Sequence, residues 1–159
     1  MSIIDSLITD RTAADVARWR KLRGKGFLGM TPAELEEWMQ PMKGSYGATD
    51  LNRVGEAMLY LLDLVDKLGI YMPLDIKTDW QGGDIPSPAQ LELYITNINT
   101  LRTAVVGLPE VPDSHNNLDY IGANEIEQMF VVMEIVIGHI MAAFRHSGVT
   151  ISGFGGLIL

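Results

Sequence analysis

The chain has 159 residues, no cysteine and a formal net charge of -8. That length suits one domain able to bury about 70% of its unfolded surface without staples, and the missing cysteine excludes disulfides, thiolate zinc sites and cysteine nucleophiles. The acidic balance speaks against binding nucleic acid, where affinity comes from neutralising phosphates, and against an anionic membrane surface.

Residues 1–9 form a leading segment. Its two acids, Asp5 and Asp10 at its edge, do not fit the basic start of a secretion signal. A first helix is predicted from Asp10 or Thr12, where Thr12 and Asp15 have capping-box spacing, to Gly24. A second, short helix opens on Thr31 as N-cap, with Pro32 at the first position and Glu34 closing the box, and stops before Pro41. The third runs from Thr49 or Asp50 to Gly69, with Leu51, Val54, Met58, Leu61, Leu62, Val65 and Leu68 at three-four spacing.

Between Ile70 and Pro86 the segment Tyr71–Ile76 suits a short strand that Pro73 confines to an edge. A fourth helix starts at Ser87 and Pro88, carries Leu91, Tyr94, Ile95, Ile98, Leu101 and Val105 on one face, and ends at Gly107 and Pro109. After a polar loop over 108–117, a fifth runs from Ile121 to Ser147. Its stretch from Met129 to Phe144 is apolar on nearly every face. At about 16 residues, against the ~20 that a bilayer requires, and interrupted by Glu134 and His139, it reads as a helix buried against protein. The whole is expected to be an all-α bundle of about five helices, residues 10–147. Residues 148–159 follow as an extended, glycine-rich, apolar tail in which Ile151, Phe154, Leu157 and Ile158 are candidates for docking.

No catalytic, cofactor or metal set emerges from the pattern. His139 and His146 are two helical turns apart, roughly 10 Å, too far to share one metal. Gly24-Lys25-Gly26-Phe27-Leu28-Gly29 has GxGxxG spacing but follows a helix instead of a strand, which does not suit a phosphate cradle, and neither a P-loop nor GxSxG occurs. One feature departs from the acidic average: Arg18, Arg20, Lys21, Arg23 and Lys25 crowd the end of the first helix. They suit either the helix dipole or an acidic neighbouring subunit. Trp80, Tyr46 and Tyr71, on predicted loops, form an alternative ligand set for a glycan. A mean hydropathy of +0.14 with 47% hydrophobic residues also favours self-association or docking.

Several segments carry a family resemblance. They are Asp10-Arg11-Thr12 with Asp15-Val16, Met30 to Glu34 with Glu37-Trp38-Met39, Lys43-Gly44 and Tyr46, and Thr49 to Val54. Lys77 to Trp80, Asp84-Ile85-Pro86, and Leu118 with Ala123 to Glu127 continue the pattern. In this order they resemble small tail-associated structural proteins of phages and prophages of low-GC Gram-positive bacteria. The resemblance implies a non-enzymatic virion component of a tail, baseplate or fibre, without cofactors. Such a component is assembled in the host cytoplasm, acts as a homo-oligomer and contacts other virion subunits, with neither nucleic acid nor membrane insertion. The alternative is a module binding cell-wall glycan. Within the same pattern Asn52 and Arg53 are expected to fasten the loop from Gly44 to Gly47.

Overall fold

The computed structural model describes residues 2–147 and the backbone of two short strands, Thr150–Ser152 and Gly156–Ile158. The protein is all-α, built from five helices: α1 (Ala13–Gly29), α2 (Pro32–Trp38), α3 (Ala48–Lys67), α4 (Pro88–Arg102) and α5 (Tyr120–His146). The strands, β1 and β2, pair antiparallel with Ile151 opposite Leu157. Phe154, and the side chains of Ile151, Leu157 and Ile158, lie outside the described residues.

Local chemistry sets the helix starts. Thr12 accepts the Asp15 N–H while the Asp15 carboxylate accepts the Thr12 N–H, and Thr31 with Glu34 and Ser87 with Gln90 repeat the exchange. Each box satisfies two of the backbone donors that a helix start leaves open. Asp119 caps α5 through the N–H groups of Ile121 and Gly122. The ends differ more from expectation. The first helical stretch continues past Gly24 to Gly29 through a kink at Gly26, whose φ of 63° suits glycine. α4 stops at Arg102, and a turn follows it to Gly107. α3 begins two residues before Asp50, whose carboxylate accepts the Gly47 N–H.

α3 lies at the centre, packed against α5, α4 and a 3-10 turn at Ile3–Ser6 that the sequence pattern did not announce. Leu51, Val54, Met58, Leu61 and Val65 of α3 meet Ile95, Ile98 and Leu101 of α4 and Ile126, Met129, Phe130, Met133 and Ile137 of α5. Each such side chain contributes about 1.5–3 kcal/mol on burial. α5 is not buried all round, because Ile135 is half exposed and the surface from Gly138 to His146 is largely open. It is long and apolar enough, by length and composition, to cross a membrane. In this fold Glu127 and Glu134 turn from it toward protein donors.

The predicted edge strand is an extended strap, not part of a sheet. From Tyr71 to Trp80 exposure alternates, with Met72, Leu74 and Ile76 packed on the core. Two asparagines pin it. Asn52 on α3 donates to the Trp80 carbonyl and accepts the Trp80 N–H, both at 2.8 Å, and Asn97 on α4 donates to the Asp75 carbonyl at 2.7 Å. The strap passes so close over Gly55 that a Cβ there would lie 2.8 Å from the Lys77 carbonyl oxygen.

Candidate interaction site

No residue of α1 or α2 belongs to the core between α3, α4 and α5. The two helices form a separate arm with its own small core. In it Leu22 is fully buried and Trp19 stacks on Trp38 with ring centroids 6.5 Å apart. Ion pairs tie the helices together: Arg18 grips Glu37 through Nε and its terminal nitrogen, the shortest contact being 2.6 Å, and Lys25 reaches Glu34 at 2.7 Å. The arm is seated where Gly44 crosses its first turn. A Cβ at Gly44 would stand 2.0 Å from the Asp15 carbonyl oxygen, so only glycine allows that approach.

Phe27 and Leu28, just past the Gly26 kink, are exposed at the turn into α2, and Met39 is exposed past the far end of α2. Arg20, Lys21 and Arg23 are exposed and form no salt bridge among the described residues, and Arg20 and Lys21 line a cleft with Asp119 and Tyr120 at the start of α5. The Arg23 guanidinium lies 5.1 Å from the Trp19 ring centroid. The predicted basic patch is thus divided. Arg18 and Lys25 bind α2, so Arg18 is not free for an outside partner, while Arg20, Lys21 and Arg23 face solvent.

The alternative ligand set does not converge. Trp80 is only 7% exposed, held by Asn52 and covered on one face by the Lys77 ammonium, 4.9 Å from the ring centroid. This corrects its reading as a presented loop aromatic: α3 supplies an amide that pulls the strap inward. Tyr46 lies under Arg11 and shares a 2.5 Å hydrogen bond with the Tyr94 hydroxyl. Burial pushes both phenols above their ordinary pKa, so neither ionises near neutrality. Tyr71 is exposed elsewhere on the strap. The strap and α4 do form a cleft of about 470 Å³, which Trp80 lines together with Met58, Ile76, Leu93 and Tyr94 and the charged Asp75, Lys77 and Asp79, so of the three aromatics only Trp80 borders it directly.

A charged network inside the body was missed by sequence reasoning. Glu127 is wholly buried, and one of its oxygens accepts from Arg11 at 2.7 Å and Arg53 at 3.0 Å. Its other oxygen accepts from the Ile8 N–H at 2.6 Å. Asp50 accepts from the same two arginines, and Asn124 exchanges two hydrogen bonds with the Arg11 backbone. The network balances two guanidinium groups with two carboxylates and fastens the N-terminal segment to α3 and α5. Arg53 therefore serves Glu127 and Asp50, and Asn52 serves the strap. Neither hydrogen-bonds the Gly44–Gly47 loop. Among the described residues no group of three or more His, Asp or Glu side chains is placed to hold a metal ion. In comparisons with known proteins, no family model, curated protein or solved structure matches the chain.

Proposed function

We propose that the chain is a structural adaptor that works through protein–protein contacts, in a phage tail, baseplate or fibre of the kind its sequence resembles. The observation that carries this reading is the α1–α2 arm. It lies outside the main core, exposes Phe27 and Leu28 at the turn between its helices and Met39 past the far end of α2, and carries Arg20 and Lys21 without ion-pair partners among the described residues. An exposed apolar group rimmed by charge is the composition of a contact surface, where aromatic and aliphatic anchors supply affinity and arginines supply orientation. The internal ion pairs and the tryptophan stack hold that surface in one shape before a partner arrives, which lowers the entropy lost on docking.

The test is composition of the particle. Phage particles purified by density gradient from a host carrying this gene are expected to contain the chain at fixed stoichiometry by mass spectrometry, in wild type and not after an in-frame deletion of the arm. Particles lacking the chain altogether would overturn the reading.

A further inference from the structure

We infer that the outward face of α5 is the seam of an antiparallel, two-fold dimer with a second copy of this chain. The helix carries two stripes. Ala123, Ile126, Phe130, Met133 and Ile137 are buried in the body, yet only 33% of the most apolar 18 residues of α5 is buried. On the opposite side Gln128, Val132, Ile135, His139, Ala142 and His146 recur at three-four spacing and are exposed or half-buried. That spacing keeps one seam turned toward a partner helix along its whole length. Ile135, at the middle of the seam, is 52% exposed, and a Cβ added at Gly138 would meet nothing within 4 Å. An apolar stripe left open in this way, bounded by polar groups, has the composition of a protein contact.

Charge at the two ends of the stripe selects a second copy as the occupant. Glu125 stands about 15 Å before Ile135 along the helix, and Arg145 and His146 stand about the same distance after it. All three are exposed and form no salt bridge among the described residues. Two copies running antiparallel about a dyad at Ile135 bring Glu125 of each to the Arg145–His146 end of the other. The acid meets the base at both ends at once, which fixes register and orientation. The same register stacks Ile135 on its own copy, and sets Gln128 against the small Ala142 and Val131 against Gly138. A parallel pair would instead set Glu125 on Glu125. The stripe is thus complementary to itself, as an isologous interface requires. A bilayer suits it less. The apolar part, from Val131 to Ala142, is about 18 Å long against a hydrocarbon core of about 30 Å. Glu134, within that span, is turned to Ser2 and Tyr60.

The chain has no cysteine, so single cysteines placed on the stripe report which positions face each other. Under mild oxidation Ile135→Cys is expected to give a disulfide-linked dimer. Gln128→Cys and Ala142→Cys are each expected to stay largely uncrosslinked alone and to crosslink when mixed, because only the antiparallel register brings those two positions within disulfide reach. Tyr71→Cys, exposed on the strap, supplies the background from random collision. In gel filtration with light scattering the wild-type chain is expected to run as a dimer. Ile135→Glu, which buries two carboxylates at the dyad, is expected to raise the dimer Kd about a hundredfold or more. Glu125→Arg, which sets base on base at both ends, is expected to raise it about tenfold.

Far-UV circular dichroism verifies that each variant is folded, and the crosslinking pattern decides the matter if a charge variant unfolds. A monomeric wild-type chain, an Ile135→Glu variant that dimerises like wild type, or Gln128→Cys crosslinking alone as readily as in the mixture would each overturn the inference. Flotation of the wild-type chain with phosphatidylcholine vesicles would overturn it as well, by making a membrane the occupant of the stripe. Each of these results leaves the adaptor reading standing wherever purified particles contain the chain, and a dimer absent from those particles removes that reading alone.

Discussion

Glu127 accepts four hydrogen bonds with its two oxygens, from Arg11, from Arg53 twice and from the Ile8 backbone. Removing its charge leaves two guanidinium groups, one of them buried, sharing Asp50 as their one carboxylate, and Arg11 Nε already lacks a partner among the described residues. Breaking a buried pair by neutralising one member costs about 3–5 kcal/mol, because the remaining charge stays desolvated. Glu127→Gln is therefore expected to lower stability by that amount in urea denaturation. Glu134 is less enclosed, accepting from Ser2 at 2.8 Å and Tyr60 at 2.7 Å, so Glu134→Gln is expected to cost only about 1 kcal/mol. Equal losses for the two variants would contradict the assignment of the network as the lock on the N-terminal segment. Gly44 is the other position where one atom decides the outcome. A methyl group there meets the Asp15 backbone at 2.0 Å, and backbone cannot rotate aside. Gly44→Ala is expected to displace the arm from its seat, visible as shifts in the indole N–H signals of Trp19 and Trp38 in NMR spectra.

At the scale of elements, the joint between α1 and α2 depends on pH through Glu34. Lys25 first, and then the Thr31 N–H, hold its carboxyl down at about 2, against an ordinary value of 4.5. A carboxylate whose pKa is lower in the folded state contributes its full stabilisation above its unfolded value. That contribution is lost progressively as pH falls from about 4.5 toward 2. Glu37, lowered chiefly by its hydrogen bond from Arg18, acts in the same direction. The Trp19–Trp38 stack is thus expected to loosen across that window, followed by the same indole signals, and Glu34→Gln should flatten the profile. A wild-type profile unchanged down to pH 2 would show that these pairs do not hold the joint. The same element shows what could be read in advance. Capping boxes are legible because both partners lie within three residues, so Thr12, Thr31 and Ser87 marked helix starts correctly. The targets of Asn52 and Arg53 were not, because Trp80 lies 28 residues and Glu127 74 residues away, and no local periodicity encodes such pairs. The basic cluster was visible as a cluster, yet its division into paired Arg18 and unpaired Arg20, Lys21 and Arg23 depends on where α2 folds back.

The whole molecule has two centres of cohesion of unequal strength. The body encloses a continuous core among α3, α4 and α5 and adds the buried charge network. The arm has Leu22, the tryptophan stack and a few exposed ion pairs, and exposed pairs contribute about 0–1 kcal/mol each. Segments with few buried contacts open at free energies below that of global unfolding. Amides of α1 and α2 are therefore expected to exchange through a local opening of the arm. Those of α3 and the first half of α5 should exchange only when the whole domain unfolds. In native-state hydrogen exchange with rising urea, protection in the arm should stay nearly flat at low denaturant, while protection in α3 falls with the slope of global unfolding. Indistinguishable protection and slopes in both regions would mean that arm and body form one cooperative unit. If the regions separate as expected, occupation of the arm by a partner has a second consequence. Binding should raise the arm's protection toward that of α3, since a ligand that selects the closed arm stabilises it by mass action. The arm's low intrinsic stability thereby becomes a direct readout of whether its exposed tip and free cations have found the surface they fit.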